Sequence, residues 1–279
     1  MKNQSKKSEK KLKNFVKNSL CQINISEARL HLTDLKTMTK ILDGKKLAEK
    51  ILRNLKKEVE KKQLKLKLAV VLVGNDFSSK VFIRKKQEAC EKIGVGFELF
   101  KFSAKISTSG LKKEIKKIGK DPIVSGIVIQ LPLPKKFNTD EILNLIPPKK
   151  NIEIISPVVC AIERLLKEYK ISLLAKKVVL VGRGRLVGQP LAAWFKKQKI
   201  DFSNIDKIKQ ADIVISGVGK QNLITGEMVK RRVVVIDVGG DVDFQAVSKK
   251  ASYISPVPGG VGPLTVACLL KNLAKLSFK

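Results

Sequence analysis

Short runs of β-branched and aliphatic residues, each followed by a helical pattern, set the tightest limit on how this chain folds. "KLAVVLVGND" (67–76), "GFELFKF" (96–102), "SGIVIQLPLP" (125–134), "VVLVG" (178–182), "ADIVISGVG" (211–219), "VVVIDVGG" (233–240) and "SYIS" (252–255) read as strands. Most lack the polar alternation of a half-solvated strand, so they belong in sheets covered on both faces. Between them lie amphipathic stretches. Ile41, Leu47, Ile51 and Leu55 share one face of a first helix. "SSKVFIRKKQEACEKIG" (78–94) reads as a helix with a serine cap and a glycine stop. Thr108 and Ser109 precede a helix carrying Leu111, Ile115 and Ile118. "TDEILNLI" is a short helix capped by Thr139 or Asp140, residues 158–170 form another, and Pro190 opens a further one at its first position. Strands separated by helices require parallel pairing with helices on both faces. The expected fold is α/β, in two such units split near residue 156.

Composition excludes several functions. The net charge of +32 invites a nucleic-acid reading. Residues 1–38, however, hold nine of the basic residues and three acids, so most of the excess is spread over the body on solvated faces. Aromatics are only 5%, too few to interleave with the lysines as single-strand binders require. No apolar run reaches the ~18 residues of a membrane span. Cys21, Cys90, Cys160 and Cys268 show neither C-x-x-C nor zinc spacing, which points to a reducing compartment and no structural metal. The single histidine, His31, lies in the basic N-terminal extension (1–38), so no histidine chemistry or metal site is expected. That extension reads as a disordered arm or a targeting segment, with Glu9, Glu27 and Asp34 set against an organelle transit peptide, and the ordered protein is expected to begin near Met38.

Two loops carry chemistry. Gly182, Gly184 and Gly188 follow a buried strand and open a helix, where bare backbone and a helix N-terminus suit a dinucleotide pyrophosphate. Arg183 and Arg185 add charge suited to a 2′-phosphate, and Asp201 is the one candidate for an acidic ribose partner. The second loop, "PVPGGVGPLTVA" (256–267), has no polar side chain before Thr265. It is either a tight strand-to-helix turn or a wall against which a flat ligand lies.

"AVVLVGND", "SSKVFIRKK", "GIVIQLPLP", "VVLVGRGRLVGQPLA", "LITGEMVK", "VVVIDVGGDVDFQAV" and "ISPVPGGVGPLTVA" occur in that order. Together, over residues 39–275, they resemble the bifunctional methylenetetrahydrofolate dehydrogenase/methenyltetrahydrofolate cyclohydrolase family. The resemblance implies two α/β domains flanking a cleft. A folate-binding catalytic domain (39–156) is completed by the C-terminal helix (263–279), and a Rossmann-like domain (157–262) binds NADP, or NAD in some members. It implies Lys86 and Gln130 as catalytic residues, with Phe82 one helical turn before Lys86 and Glu153 in the position of a pterin-gripping acid. Phe82, Lys86, Ile129, Gln130, Leu131, Pro258, Gly259, Gly260, Val261 and Gly262 match the family's substrate contacts. Gly182, Arg183, Gly184, Arg185, Gly188, Gly217 and Gly240 match its cofactor contacts. The same likeness implies a cytoplasmic homodimer acting on tetrahydrofolate derivatives; no metal and no membrane are expected from the residues themselves, and nucleic acid is not the favoured partner.

The chain departs from the family at Phe82, where tyrosine is usual, and at Glu153–Ile154, where aspartate and glycine are usual. A segment is missing before "PVVC" (157–160), the strand near Asp201 is short, and the loop after "DVGG" is trimmed. Two other readings stand beside the enzyme: a relative that binds nucleotide or folate without full activity, and a basic nucleic-acid-binding protein.

Overall fold

The computed structural model describes residues 39–277. The basic extension, with Cys21, His31 and the expected start at Met38, lies outside the described residues. The elements run β1 (Lys40–Ile41), α1 (Gly44–Lys61), β2 (Lys67–Val73), α2 (Phe77–Lys92), β3 (Gly96–Phe102), α3 (Thr108–Lys120), β4 (Gly126–Ile129), α4 (Thr139–Leu143) and α5 (Pro157–Glu168). The second half continues with β5 (Val178–Val181), α6 (Gly188–Lys197), β6 (Phe202–Ser203), β7 (Ile213–Ser216), β8 (Val234–Asp237), α7 (Phe244–Ser248), β9 (Tyr253–Ile254) and α8 (Val261–Ser277).

Two sheets result. The small one has the order β3-β2-β4, and the large one β1-β9-β8-β7-β5-β6. Every pairing in the small sheet is parallel, as are those joining β9, β8, β7, β5 and β6. The period of two then divides each strand between two cores. Leu68, Val70 and Leu72 of β2 face Leu55, Ile83 and Leu270, whereas Ala69, Val71 and Val73 face Leu111, Ile115 and Ile142. In the large sheet Leu180, Ile215 and Ile236 pack on α5 and α6; Val179, Val214 and Val235 pack on Ile208 and Val247.

Several helix starts differ from the sequence reading. Asp76, not a serine, caps α2, because its carboxylate reaches the Ser79 N–H at the third helical position (2.7 Å). Ser107 caps α3, one residue earlier than expected. Asn138 caps α4, placing Thr139 and Asp140 inside the first turn. Pro190 is the third residue of α6, still within the turn whose N–H groups have no helical partner. The apolar run 125–134 is strand only over Gly126–Ile129; Pro132 and Pro134, which have no N–H to give a ladder, lie beyond its end.

The C-terminal helix α8 serves both cores. Leu264, Ala267 and Cys268 enter the cluster beneath the large sheet, and Val266, Leu269, Leu270 and Leu273 enter that beneath the small one. No helix among the described residues is long and apolar enough to cross a membrane.

The loop before α8 is packed backbone to backbone on the start of α1. The Lys45 N–H donates to the Gly259 carbonyl (2.8 Å), and a Cβ on Gly44 would stand 1.9 Å from the Gly260 oxygen. Neither partner is a side chain that could swing away. Gly44→Ala is therefore expected to destabilise the protein by about 3 kcal/mol or more, as an overpacked site with no room to relax. Thermal unfolding followed by circular dichroism checks this; an unchanged midpoint contradicts the packing.

Candidate active site

The carboxyl ends of β2 and β4 place the first cluster. Beyond β2, the Asp76 cap accepts from Ser79 N–H and from the Ser78 hydroxyl (2.6 Å), and these bonds hold its carboxyl below the ordinary range. Ser79 is buried and its hydroxyl donates to the Leu131 carbonyl (3.3 Å), tying α2 to the chain after β4. Phe82 and Lys86 follow at helical spacing on α2.

Beyond β4, Gln130 is only 8% exposed and its N–H continues the sheet to the Val71 carbonyl (2.8 Å). Its side-chain amide donates to Leu131 O (2.9 Å), which turns Oε1 toward the Lys86 ammonium nitrogen at 2.6 Å. Burial pushes Lys86 below the ordinary lysine range, opposed by the negative charge of Glu153. Glu153 is pushed above the carboxylate range by burial, opposed by Lys86. Lys86, Gln130 and Glu153 thus form one coupled group, beside which Phe82 stands 45% exposed. An aromatic ring left in water next to a desolvated amine marks a binding surface.

The shortened link between the halves still delivers Glu153. Asn151 bridges to Ile127 of β4, and buried Asn272 of α8 donates to the carbonyls of Ile152 (2.9 Å) and Ile155 (2.8 Å). Ile154, where the family has glycine, points to solvent at 64% exposure.

The other expected substrate contacts divide. Ile129 and Val261 are buried core residues, so only their backbone remains for a ligand. Leu131 is half-buried, and Pro258, after a cis peptide, is exposed. Gly259, at φ +115°, and Gly260 are required by the turn and by the contact with α1. Gly262 has no protein atom near a built Cβ, so packing does not demand it. The loop is a tight turn, and part of its backbone is bare.

In the second half the glycine loop follows β5. A Cβ on Gly188 would lie 2.2 Å from the Gly182 oxygen, and one on Gly217 would meet Val187 at 2.4 Å. These two glycines close the loop upon itself and upon the end of β7. Gly184 meets nothing within 4 Å; its backbone is bare without any demand from packing, as close approach of a pyrophosphate requires. The residues present therefore fit a dinucleotide.

The two arginines have separate partners. Arg185 makes a bidentate pair with Asp140 of α4, which joins the glycine loop to the small-sheet half. Its head is already engaged, contrary to the expectation that both arginines serve a phosphate. Arg183 donates to the Asn204 side chain (2.6 Å) and lies 5.3 Å from the Phe202 ring centroid, at the carboxyl end of β6. Asp201 precedes β6, at the end opposite the one where ligands bind in sheets of this kind.

Sequence reasoning missed two fasteners in "DVGGDVD". Buried Asp241 accepts from the Ser216 hydroxyl (2.5 Å) and from the N–H groups of Val218 (2.8 Å), Gly219 (2.6 Å) and Lys220 (2.7 Å). Asp237 accepts from the N–H groups of Gly240, Asp241 and Val242; burial nevertheless lifts its carboxyl above the usual range. Gly240 and Asp237 border a pocket with Gln221, Phe244 and Val257. The signal was present as closely spaced acids around glycines, but nothing local distinguishes a fastener from a solvated acid.

Two parallel sheets whose carboxyl ends carry a desolvated lysine on one side and a bare glycine loop on the other define a two-domain, Rossmann-type enzyme with a cleft between its halves. Residues 42–153 match the family described as tetrahydrofolate dehydrogenase/cyclohydrolase, catalytic domain, and residues 157–279 match its NAD(P)-binding domain. The bifunctional protein FolD of Nautilia profundicola is 43% identical over 84% of this chain and 96% of its own; that of Nitratiruptor is 41% identical with the same coverage. Among solved structures, the FolD methylenetetrahydrofolate dehydrogenase/cyclohydrolase of Campylobacter jejuni is 34% identical, with a TM-score of 0.79 over 86% of this chain and 99% of that one. The Trypanosoma brucei enzyme, complexed with NADP and an inhibitor, is 28% identical, with a TM-score of 0.81 over 85% and 97%. The chain belongs to the tetrahydrofolate dehydrogenase/cyclohydrolase family and is an enzyme of that bifunctional type.

Asp241→Asn keeps the shape but replaces one acceptor oxygen with an amide that faces N–H donors. It is expected to destabilise the protein by about 1–3 kcal/mol, the cost of buried donors left without partners, and to weaken NAD and NADP equally. Denaturant melts and cofactor titration check both parts; a selective loss of one cofactor contradicts them.

Proposed function

We propose that this enzyme oxidises methylenetetrahydrofolate to the methenyl form with NADP and hydrolyses the product to formyltetrahydrofolate more slowly, with Lys86 as its proton-transfer group. The Lys86–Gln130 contact carries the reading: a half-buried amine held at 2.6 Å by an oriented amide oxygen is set for proton transfer at a defined place. Residues 39–156 with the C-terminal helix hold folate in this reading, and 157–262 hold the dinucleotide. Tetrahydrofolate derivatives are the substrates, and the cytoplasmic homodimer belongs to the same proposal. The high positive charge is assigned to solvated lysines, not to a nucleic-acid site.

Bound at the glycine loop, the nicotinamide cofactor supplies the hydride acceptor. The backbone at Gly182, Gly184 and Gly188 takes the pyrophosphate, and the exposed backbone of the Pro256–Gly262 loop lets flat rings approach. Dehydrogenation asks these residues chiefly for positioning. Hydrolysis asks more: water adds to the methenyl carbon and gives up both of its protons as the formyl C=O forms, while the C–N bond breaks and the ring nitrogen takes up one proton, so that one proton is released to solvent overall. A depressed pKa gives Lys86 a neutral fraction to accept the first proton, and its conjugate acid can return one. Phe82 provides a ring for stacking but no hydroxyl to hold the amine, so hydrolysis is the weaker activity.

Lys86→Ala is expected to cost hydrolysis ~10²–10⁴-fold, the usual contribution of a general acid/base, while nicotinamide reduction remains measurable. Phe82→Tyr should raise hydrolysis several-fold and leave reduction nearly unchanged. In the parent, hydrolysis should rise with pH as Lys86 loses its proton, levelling below the ordinary lysine range. Glu153→Gln removes the charge that opposes this shift, so the midpoint should move to lower pH. Both rates measured under saturating folate decide the matter; intact hydrolysis in Lys86→Ala sinks the assignment.

Cofactor choice rests on Arg183. The Trypanosoma brucei relative is complexed with NADP, and the carboxyl end of β6 here offers Arg183, Ser203 and Asn204 where NAD enzymes place an acid. Arg183→Ala should weaken NADP about tenfold to a hundredfold, the worth of a charged hydrogen bond, and NAD far less. Arg185→Ala, which frees Asp140, should affect the two cofactors alike. Titration of each cofactor distinguishes these outcomes, and equal losses in Arg183→Ala refute the selectivity.

A further inference from the structure

Where α5 packs against α8, two thiols meet beside a guanidinium. Cys160 on α5 and Cys268 on α8 lie in the same apolar cluster where the two helices pack, near enough for each thiol to bias the other's ionisation. One helical turn beyond Cys160, Arg164 donates its Nε–H to the Cys160 sulfur at 3.4 Å. Cys160 is half-buried and Cys268 fully buried. The folate and nucleotide machinery uses none of the three.

We infer that Cys160 and Cys268 form a redox-active dithiol, in which Cys160 attacks a low-molecular-weight disulfide of the glutathione class and Cys268 resolves the adduct. The geometry separates the two roles. A partly accessible sulfur beside a fixed positive charge is the one a soluble disulfide can reach and the one poised to exist as thiolate. A buried neighbour in contact with it can attack only that sulfur.

The charges around the pair act in the same sense. Cys268 and Arg164 lower the Cys160 pKa, against burial and the nearby carboxylate of Glu163. Cys268 is driven upward by the neighbouring Cys160 and by burial, with Arg164 and Lys271 opposing. Cys90, buried within the other core and pushed up to about 12 by desolvation, provides an inert internal reference.

The exchange balances as follows. The Cys160 thiolate bonds to one sulfur of the disulfide, the S–S bond breaks, and the departing thiolate takes up a proton. Cys268 then gives its proton to solvent and bonds to the Cys160 sulfur, expelling the second small thiol. Two protein thiols are oxidised to one disulfide, and one external disulfide is reduced to two thiols. The new bond would link α5, which opens the nucleotide half, to α8, which completes the folate half.

The test uses the full chain carrying Cys21→Ser, so that only the three described cysteines react. Iodoacetamide at neutral pH, followed by peptide mass mapping, is expected to label Cys160 at least tenfold faster than Cys90 or Cys268. Arg164→Gln should slow that labelling about threefold to tenfold as thiolate character is lost. Oxidised glutathione should then produce a Cys160–Cys268 disulfide with loss of two hydrogens, reversed by dithiothreitol. The Cys268→Ser variant should stop at the Cys160–glutathione adduct, with its reduced form retaining both folate activities as a check on folding. Cys160 labelled no faster than Cys90, or a glutathione adduct that persists while Cys268 is present, overturns the inference.

Discussion

The final helix gives Leu264, Ala267 and Cys268 to the core of the large sheet and Val266, Leu269, Leu270 and Leu273 to that of the small one. Each fully buried leucine is worth about 1.5–3 kcal/mol relative to exposure. Neither sheet can keep that gain if the other moves away from the helix. The loop preceding the helix is pinned as well, through the Gly259 carbonyl and the Gly44–Gly260 contact. The relative placement of the two sheets, and so the cleft between their carboxyl ends, depends on this one shared element.

The cleft then sets the chemistry by removing water. A lysine on a solvated helix stays protonated and carries no catalytic meaning, and most of the lysines in this chain fit that description. Lys86 differs because Gln130 and Glu153 converge on it from two other segments while burial disfavours its charge. Burial alone would leave the amine free to turn; the amide oxygen gives it direction. The same burial raises Glu153, so each group's charge depends on the other's.

On the nucleotide side, rigidity comes from carboxylates engaged by backbone N–H groups. Asp241 gathers three successive backbone N–H groups after β7, and Asp237 gathers three more after β8. Held this way, the two loops keep their shape without side chains crossing the cleft. Arg185 adds a direct tie to the small-sheet half through Asp140.

Much of this was legible in the residues themselves. Uninterrupted β-branched runs and intervening amphipathic helices dictate parallel sheets with two covered faces, because local periodicity reports which faces are buried. The glycine loop could be placed for the same reason, since strand and helix signals flank it. The family likeness supplied Lys86 and Gln130, which no spacing rule singles out. Helix caps slipped by a residue or more, as at Asp76 and Asn138, because a cap is defined by which N–H a side chain reaches and not by residue type alone. The roles of Asp237 and Asp241, the separate duties of Arg183 and Arg185, the approach of Glu153 to Lys86 and the pairing of Cys160 with Cys268 were decided by tertiary structure. Each joins residues distant in sequence or of ambiguous local pattern, and a one-dimensional pattern carries no distances between them.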